Sequence, residues 1–180
     1  MKAGRGRRQL IRERALEIAL VEAKRKVHEV GFNNRGRRVE QYLKEVGLGG
    51  GYPWCDAFVS WCLHLAGGRR LSIESGGVGV TYARAQSAGF VVNRPFRGDL
   101  VLFDFDSDNR RDDHIGFVER VLSIKGLFWL LRTVEGNTSS GKGGSQTDGG
   151  GVYRRTRLVR KNKVAFVRVP GRVIAGGSRR

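Results

Sequence analysis

At 180 residues the chain is long enough for one compact domain with an ordinary core and too short for two full ones. Its 34 basic residues against 17 acidic ones leave a formal charge of +17, which implies polyanionic surroundings, whether nucleic acid, an anionic membrane or an acidic cell-wall polymer, without choosing among them. No apolar run approaches the roughly 20 residues needed to span a bilayer, and the charged N-terminus lacks the apolar core of a secretion signal. The chain is therefore expected to be made soluble, with something else carrying or releasing it if it works outside the cytoplasm. The cations crowd the ends, with Lys2, Arg5, Arg7, Arg8, Arg12 and Arg14 at one and a run from Arg154 to Arg180 at the other.

In chain order, Leu10, Ile11, Ala15, Leu16, Ile18, Ala19, Val21 and Val27 recur at near-helical spacing and predict an amphipathic helix from Gln9 to Val30, ending near Gly31. After the turn "GFNNRGRR", the residues Val39, Tyr42, Leu43 and Val46 mark a second helix that stops at the glycines 47 to 51. Pro53 opens a third, whose stripe of Phe58, Val59, Cys62, Leu63 and Ala66 is closed by Gly67 and Gly68. A short helix is expected around Tyr82 to Ala88. Past Asn93 the pattern turns to β-like runs, "DLVLF", "HIGFVERV", "LFWLLRTVE", "GVYRRTR" and "VAFVRV". Helices first and strands second argue for an α+β domain, its antiparallel sheet packed against the N-terminal helices. The stretch "TSSGKGGSQTDGGG" is expected to be a flexible loop between two strands.

Both cysteines lie in "GYPWCDAFVSWCLHLAG". Seven residues along one helix rise about 10.5 Å, whereas disulfide Cα atoms lie roughly 4.4 to 6.8 Å apart, so Cys55 and Cys62 cannot pair within that helix. Their spacing also lacks the short hook of a zinc site, and no metal ligand set is expected. Cys62 falls on the apolar stripe and reads as a packing residue. Cys55 falls at the helix N-terminus, where the dipole and unpaired N–H groups favour a thiolate. It is either inert or a nucleophile.

A nucleophile needs a base. His64, nine positions on, is half a turn out of phase and about 13 Å along the axis, which leaves it a surface or packing role. His28 sits in the charged run "KRKVHEV" and reads as part of a solvated face. His114 opens a predicted strand, where a base could meet the thiolate. Glu135 and Asn137 in "TVEGNT" end the next strand and could orient the imidazole, or serve as ordinary turn residues.

Taken in order and spacing, "PWCDAFVSWCLHLAG", "RGDLVLFDFDSDNRRDDHIGFVERV" and "TVEGNTSSG…GGGVYRRTR" resemble the CHAP domain, the cysteine- and histidine-dependent amidohydrolases and peptidases of the papain-like class. The likeness covers about residues 12 to 170, with a basic arm at 1–11 and a basic tail at 171–180. It implies a papain-like fold and an enzyme that cuts an amide bond of peptidoglycan, either the muramoyl-alanine bond or one in the peptide or cross-bridge. It also implies Cys55 as nucleophile, His114 as base and then acid, Glu135 as the residue orienting the imidazole, Asn137 as a further polar member of the site, and no cofactor. Members occur mainly as bacteriophage lysins and wall-remodelling enzymes, so peptidoglycan is the implied partner, reached at host lysis or from a virion.

Some members bind calcium through acids just before the cysteine; the segment here, "GLGGGYPW", has none. Asp104, Asp106 and Asp108 have the spacing of a calcium loop, but Ile115 stands where the bidentate Glu belongs, so they read as an acidic turn with a bound cation as the lesser alternative. The basic termini could hold the chain to an anionic envelope, to other virion proteins or to nucleic acid. The rival reading is a basic nucleic-acid-binding or structural virion protein on an inactive fold of the same kind.

Overall fold

In a computed structural model, residues 10–171 are described except 32, 142, 146 and 147, so the expected arm at 1–11 and tail at 171–180 fall, but for residues 10, 11 and 171, outside the described residues. Four α-helices come first, α1 (Ile11–Lys24), α2 (Arg37–Glu45), α3 (Cys55–Gly67) and α4 (Val78–Ser87). Six strands follow, β1 (Val91–Val92), β2 (Leu100–Phe103), β3 (His114–Lys125), β4 (Phe128–Thr138), β5 (Gly151–Arg160) and β6 (Val164–Val167). They form one antiparallel sheet in the order β1-β6-β2-β3-β4-β5. The α+β architecture expected from the order of patterns is the one found.

The run "LVLF" of β2 shows why the sheet lies where it does. Leu100 and Leu102 join the main core with Leu16, Leu43, Phe58 and Leu63 of the helices, while Val101 and Phe103 join a smaller cluster with Val118, Leu131 and Phe166. Alternate side chains point to opposite faces of a strand, so a continuous apolar run means that both faces are covered. β2 is central and carries no polar face.

Two helix boundaries differ from the sequence reading. α1 ends at Lys24, because Lys26 takes a positive φ of 53° and turns the chain. Val27 then joins the core, and His28 leaves the helix to bridge Gly151, its ring 5.4 Å from that of Tyr153. α4 begins at Val78 rather than near Tyr82: the Ser75 hydroxyl accepts the Gly77 N–H at 3.2 Å, and the glycine-rich stretch reads as loop only until that anchor is seen.

The first two helices are joined at a buried carboxylate. Glu22 of α1 accepts hydrogen bonds from Arg38 at 2.6 and 2.8 Å, from Tyr42 Oη at 2.5 Å and from Arg25 at 2.7 Å. Burial works to raise its carboxyl, but the bonds from Arg38 and Tyr42 and the nearby guanidinium charges hold it below the usual range. Removing Glu22 leaves the buried Tyr42 hydroxyl and the half-buried Arg38 guanidinium unmatched. Glu22→Ala is therefore expected to cost about 3 kcal/mol and to lower the melting temperature by about 6–12 °C. An unchanged thermal transition in calorimetry would show that the cluster carries no net stability.

Candidate active site

Cys55 is the first residue of α3, and what fixes it is the tryptophan before it. Trp54 is wholly buried, stacks on Tyr42 with ring centroids 5.7 Å apart, and donates its indole N–H to Glu29 at 2.8 Å. Its carbonyl accepts the Phe58 N–H at 2.9 Å, which starts the helix. β4 presses on the same turn: a Cβ on Gly136 would lie 2.8 Å from both Phe58 and Trp54. Glycine is therefore required between Glu135 and Asn137, so that the strand can approach the helix that carries the cysteine.

The Cys55 thiol is 5% exposed and free, as is the buried Cys62, which packs in the main core. Here the structure departs from the expected low-pKa thiolate. Burial and the neighbouring Asp56 charge push the Cys55 thiol up to about 12, against the backbone N–H groups of Asp56, Ile115 and Cys55, which favour the thiolate. The helix N-terminus is outweighed by desolvation. The resting sulfur is a thiol.

His114 opens β3, paired across the sheet with Phe103, whose ring centroid lies 5.9 Å away. The ring is fully buried, and its Nε2 lies 3.0 Å from Glu135 Oε2. A carboxylate can only accept, so Nε2 carries a proton towards Glu135, and Nδ1 is the nitrogen left to exchange one. That Nδ1 is buried and has no hydrogen-bond partner.

Glu135 is held from three further directions. Thr133 Oγ1 donates to Oε1 at 2.5 Å, Arg157 Nε donates to the same oxygen at 2.9 Å, and Arg157 Nη2 donates to Oε2. Arg157 itself lies over the rings of Phe103 and Phe105 at 5.6 and 5.4 Å. Burial acts to raise the Glu135 carboxyl, but the bonds from Arg157 and His114 and their charges bring it down to about 2. Sequence reading counted Arg157 only among the basic residues of the C-terminal end. No local signal marks it, since "GVYRRTRLVR" buries Arg155 and Arg157 and leaves Leu158 exposed.

The structure thus joins His114 and Glu135 directly, and sets Cys55 beside the first residues of β3 through the Ile115 N–H. Asn137 is buried at φ 54° in the irregular register between Glu135 and Thr138, and both polar atoms of its side chain lack a hydrogen-bond partner. No hydrogen bond ties it to His114 or Glu135. His64 lies elsewhere, beside Glu45 and Glu74.

A cleft of about 500 Å³ opens at Cys55, walled by Tyr52, Gly76 and Gly77 and rimmed by Asp112, Asp113 and Asp148. Its Gly76–Gly77 wall is anchored by Asp56, whose Oδ2 accepts the hydroxyls of Ser75 and Thr81, both at 2.8 Å. The neighbouring acidic turn is internally neutralised. Asp104, Asp106 and Asp108 converge, but Asp104 pairs with Arg111 and Lys163, both at 3.1 Å, and Asp108 with Arg110 at 2.5 Å.

A protein-family model described as the CHAP domain matches residues 47–137, just over half of the chain. That span holds Cys55, His114, Glu135 and Asn137. Neither the curated proteins nor the solved structures compared with the chain give a match.

The depressed Glu135 carboxyl sets a pH dependence. Its pKa falls from the ordinary 4.5 to about 2 on folding, so its stabilisation is complete above about pH 4.5 and is lost as pH falls towards 2. Roughly 3 kcal/mol of acid-dependent stability is expected from this group. Urea unfolding from pH 5 to 2 should show a shallower loss in Glu135→Gln than in the wild type; equal slopes would refute the assignment.

Proposed function

The chain belongs to the CHAP family, and from that premise we propose that it is a cysteine-dependent hydrolase that cuts an amide bond of peptidoglycan. Cys55 is the nucleophile, His114 the general base and acid, Glu135 the residue that orients His114, and Asn137 a polar member of the site. The observation that carries this reading is the buried His114, whose Nε2 is bound to Glu135 while Nδ1 is left as an unpartnered acceptor. Most buried side-chain polar atoms have a hydrogen-bond partner, and an unpartnered ring nitrogen on an oriented histidine is the atom a base would use.

Because the resting sulfur is a thiol held at about 12, proton removal accompanies attack. His114 Nδ1 takes the Sγ proton as sulfur bonds to the amide carbon, and the Glu135 carboxylate stabilises the imidazolium that forms. The carbonyl oxygen becomes an oxyanion beside the first backbone N–H groups of α3. His114 then returns the proton to the leaving nitrogen, the C–N bond breaks, and a thioester remains. Water attacks the thioester with His114 again as base, releasing the carboxylic acid and restoring the thiol. Every step runs on the chain's own residues.

The rim of the cleft bears on the substrate. Asp112, Asp113 and Asp148 suit a peptide carrying a free amine, such as a stem or cross-bridge, better than a phosphate backbone. This speaks against nucleic acid at the site. We assign the protein to wall degradation at phage lysis or entry, the setting in which relatives of this kind mainly occur, with the basic arm and tail as contacts to the envelope or to other virion proteins.

Cys55→Ala is expected to lower the clearing of purified cell walls by about a thousandfold or more, with an unchanged circular dichroism spectrum. Cys62→Ala should retain the activity and lose only stability, about 1–2 kcal/mol for a small buried side chain. Mass spectrometry of the released fragments identifies the bond cut. Clearing by the Cys55 variant at the wild-type rate would sink the proposal.

A further inference from the structure

Apart from the cleft, one cluster among the described residues combines a nitrogen ligand with two carboxylates. His64 in the last turn of α3, Glu45 at the end of α2 and Glu74 in the segment before α4 each offer one ligand atom, all within 4.8 Å of one another. His64 Nδ1 is 3.0 Å from Glu45 Oε1 and 3.9 Å from Glu74 Oε2. Donors that share one zinc ion at about 2.0–2.2 Å stand roughly 3 to 4 Å apart.

Two details separate this cluster from an ordinary ion pair. Glu74 is 1% exposed; its Oε1 accepts the Leu71 N–H at 2.9 Å, and its Oε2 has no hydrogen-bond partner. His64 Nδ1 is likewise without a hydrogen bond, although Glu45 Oε1 is near enough for one. The imidazole is not aimed at that oxygen, as holds for two ligands directed at a common point between them. A buried carboxylate oxygen with neither donor nor cation carries a desolvation cost that a bound cation would offset. The ends of α2 and α3 add the negative poles of two helices.

We propose that His64, Glu45 and Glu74 bind one zinc-class divalent cation, with an open coordination position towards solvent on the His64 side. One imidazole with two carboxylates suits zinc, whereas calcium takes six to eight oxygens. The Leu71 N–H fixes the Glu74 carboxylate, as the outer shell of a metal site does. The ion ties the C-terminal ends of α2 and α3 to the segment that continues into Ser75, Gly76 and Gly77. It therefore clamps the wall of the Cys55 cleft from behind and takes no part in the chemistry.

The test uses the full chain, stripped with a chelator and dialysed against micromolar Zn²⁺, with bound metal measured by elemental analysis and thermal unfolding followed in parallel. Wild type and Cys55→Ser should each hold one Zn²⁺ per chain and melt higher with it. His64→Gln and Glu74→Gln should bind at least about tenfold more weakly and lose the thermal shift. If Glu74→Gln fails to fold, His64→Gln decides, since its side chain is partly exposed. No bound Zn²⁺ in the wild type, wild-type affinity in His64→Gln, or loss of the metal in Cys55→Ser would each overturn the proposal. The last would place the metal at the cysteine, and none of these outcomes depends on wall-cleaving activity.

Discussion

The buried carboxylate of Glu135 is the constraint around which the site is arranged. Alone among apolar strands it would take up a proton, and a neutral carboxyl could not fix the histidine in one tautomer. Arg157 prevents this by donating twice from the neighbouring strand, and the faces of Phe103 and Phe105 shelter the guanidinium. His114 is thus the second partner of an anion already neutralised by the first. That holds the imidazole with Nε2 on the carboxylate and leaves Nδ1 on its other side.

The same burial that sharpens the histidine works against the cysteine. Sulfur at a helix N-terminus is often thought of as a ready thiolate, but here Trp54, the Gly136 approach and the Asp56 carboxylate surround it with apolar matter and negative charge. Stabilisation by the helix dipole amounts to about 1 kcal/mol or less in most settings, and a shift of one pKa unit takes about 1.4 kcal/mol. Desolvation therefore decides the resting state. A protonated thiol resists oxidation and makes deprotonation part of the proposed attack, so the histidine's free nitrogen matters more than it would beside a preformed ion pair.

The helices and strands were readable in the sequence wherever one periodicity held, as in the stripe of α3 or the apolar run of β2. Reading failed where a single contact overrode the pattern. Val27 kept the helical period of α1, yet the left-handed turn at Lys26 ended the helix before it. Gly79 looked like loop, yet it lies inside α4, which begins after a Gly77 whose N–H is held by the Ser75 hydroxyl. Cys55, His114 and Glu135 could be picked out because their residue types and order are distinctive. Arg157 could not, because β5 buries Arg155 and Arg157 while leaving Leu158 exposed. Which buried acid meets which buried base is set by cross-strand register, and no local window contains that information.

Charge shows how folding changes the meaning of composition. A total of +17 suggests a surface built for polyanions, but several of the end-weighted cations are consumed inside. Arg12 and Arg168 share the buried Asp99, Lys163 neutralises Asp104 and Arg157 pairs with Glu135, while Arg154 pairs with Glu119 at the surface. Meanwhile the cleft at Cys55 is rimmed by acids. At physiological ionic strength, screening sets in over about 8 Å, so the two signs act at different ranges. The net positive charge acts on an approaching anionic polymer as a whole, while the acidic rim acts only on the group that enters the cleft. A wall polymer that is anionic along its length and carries amines on its peptides satisfies both conditions at once, which a nucleic acid does not.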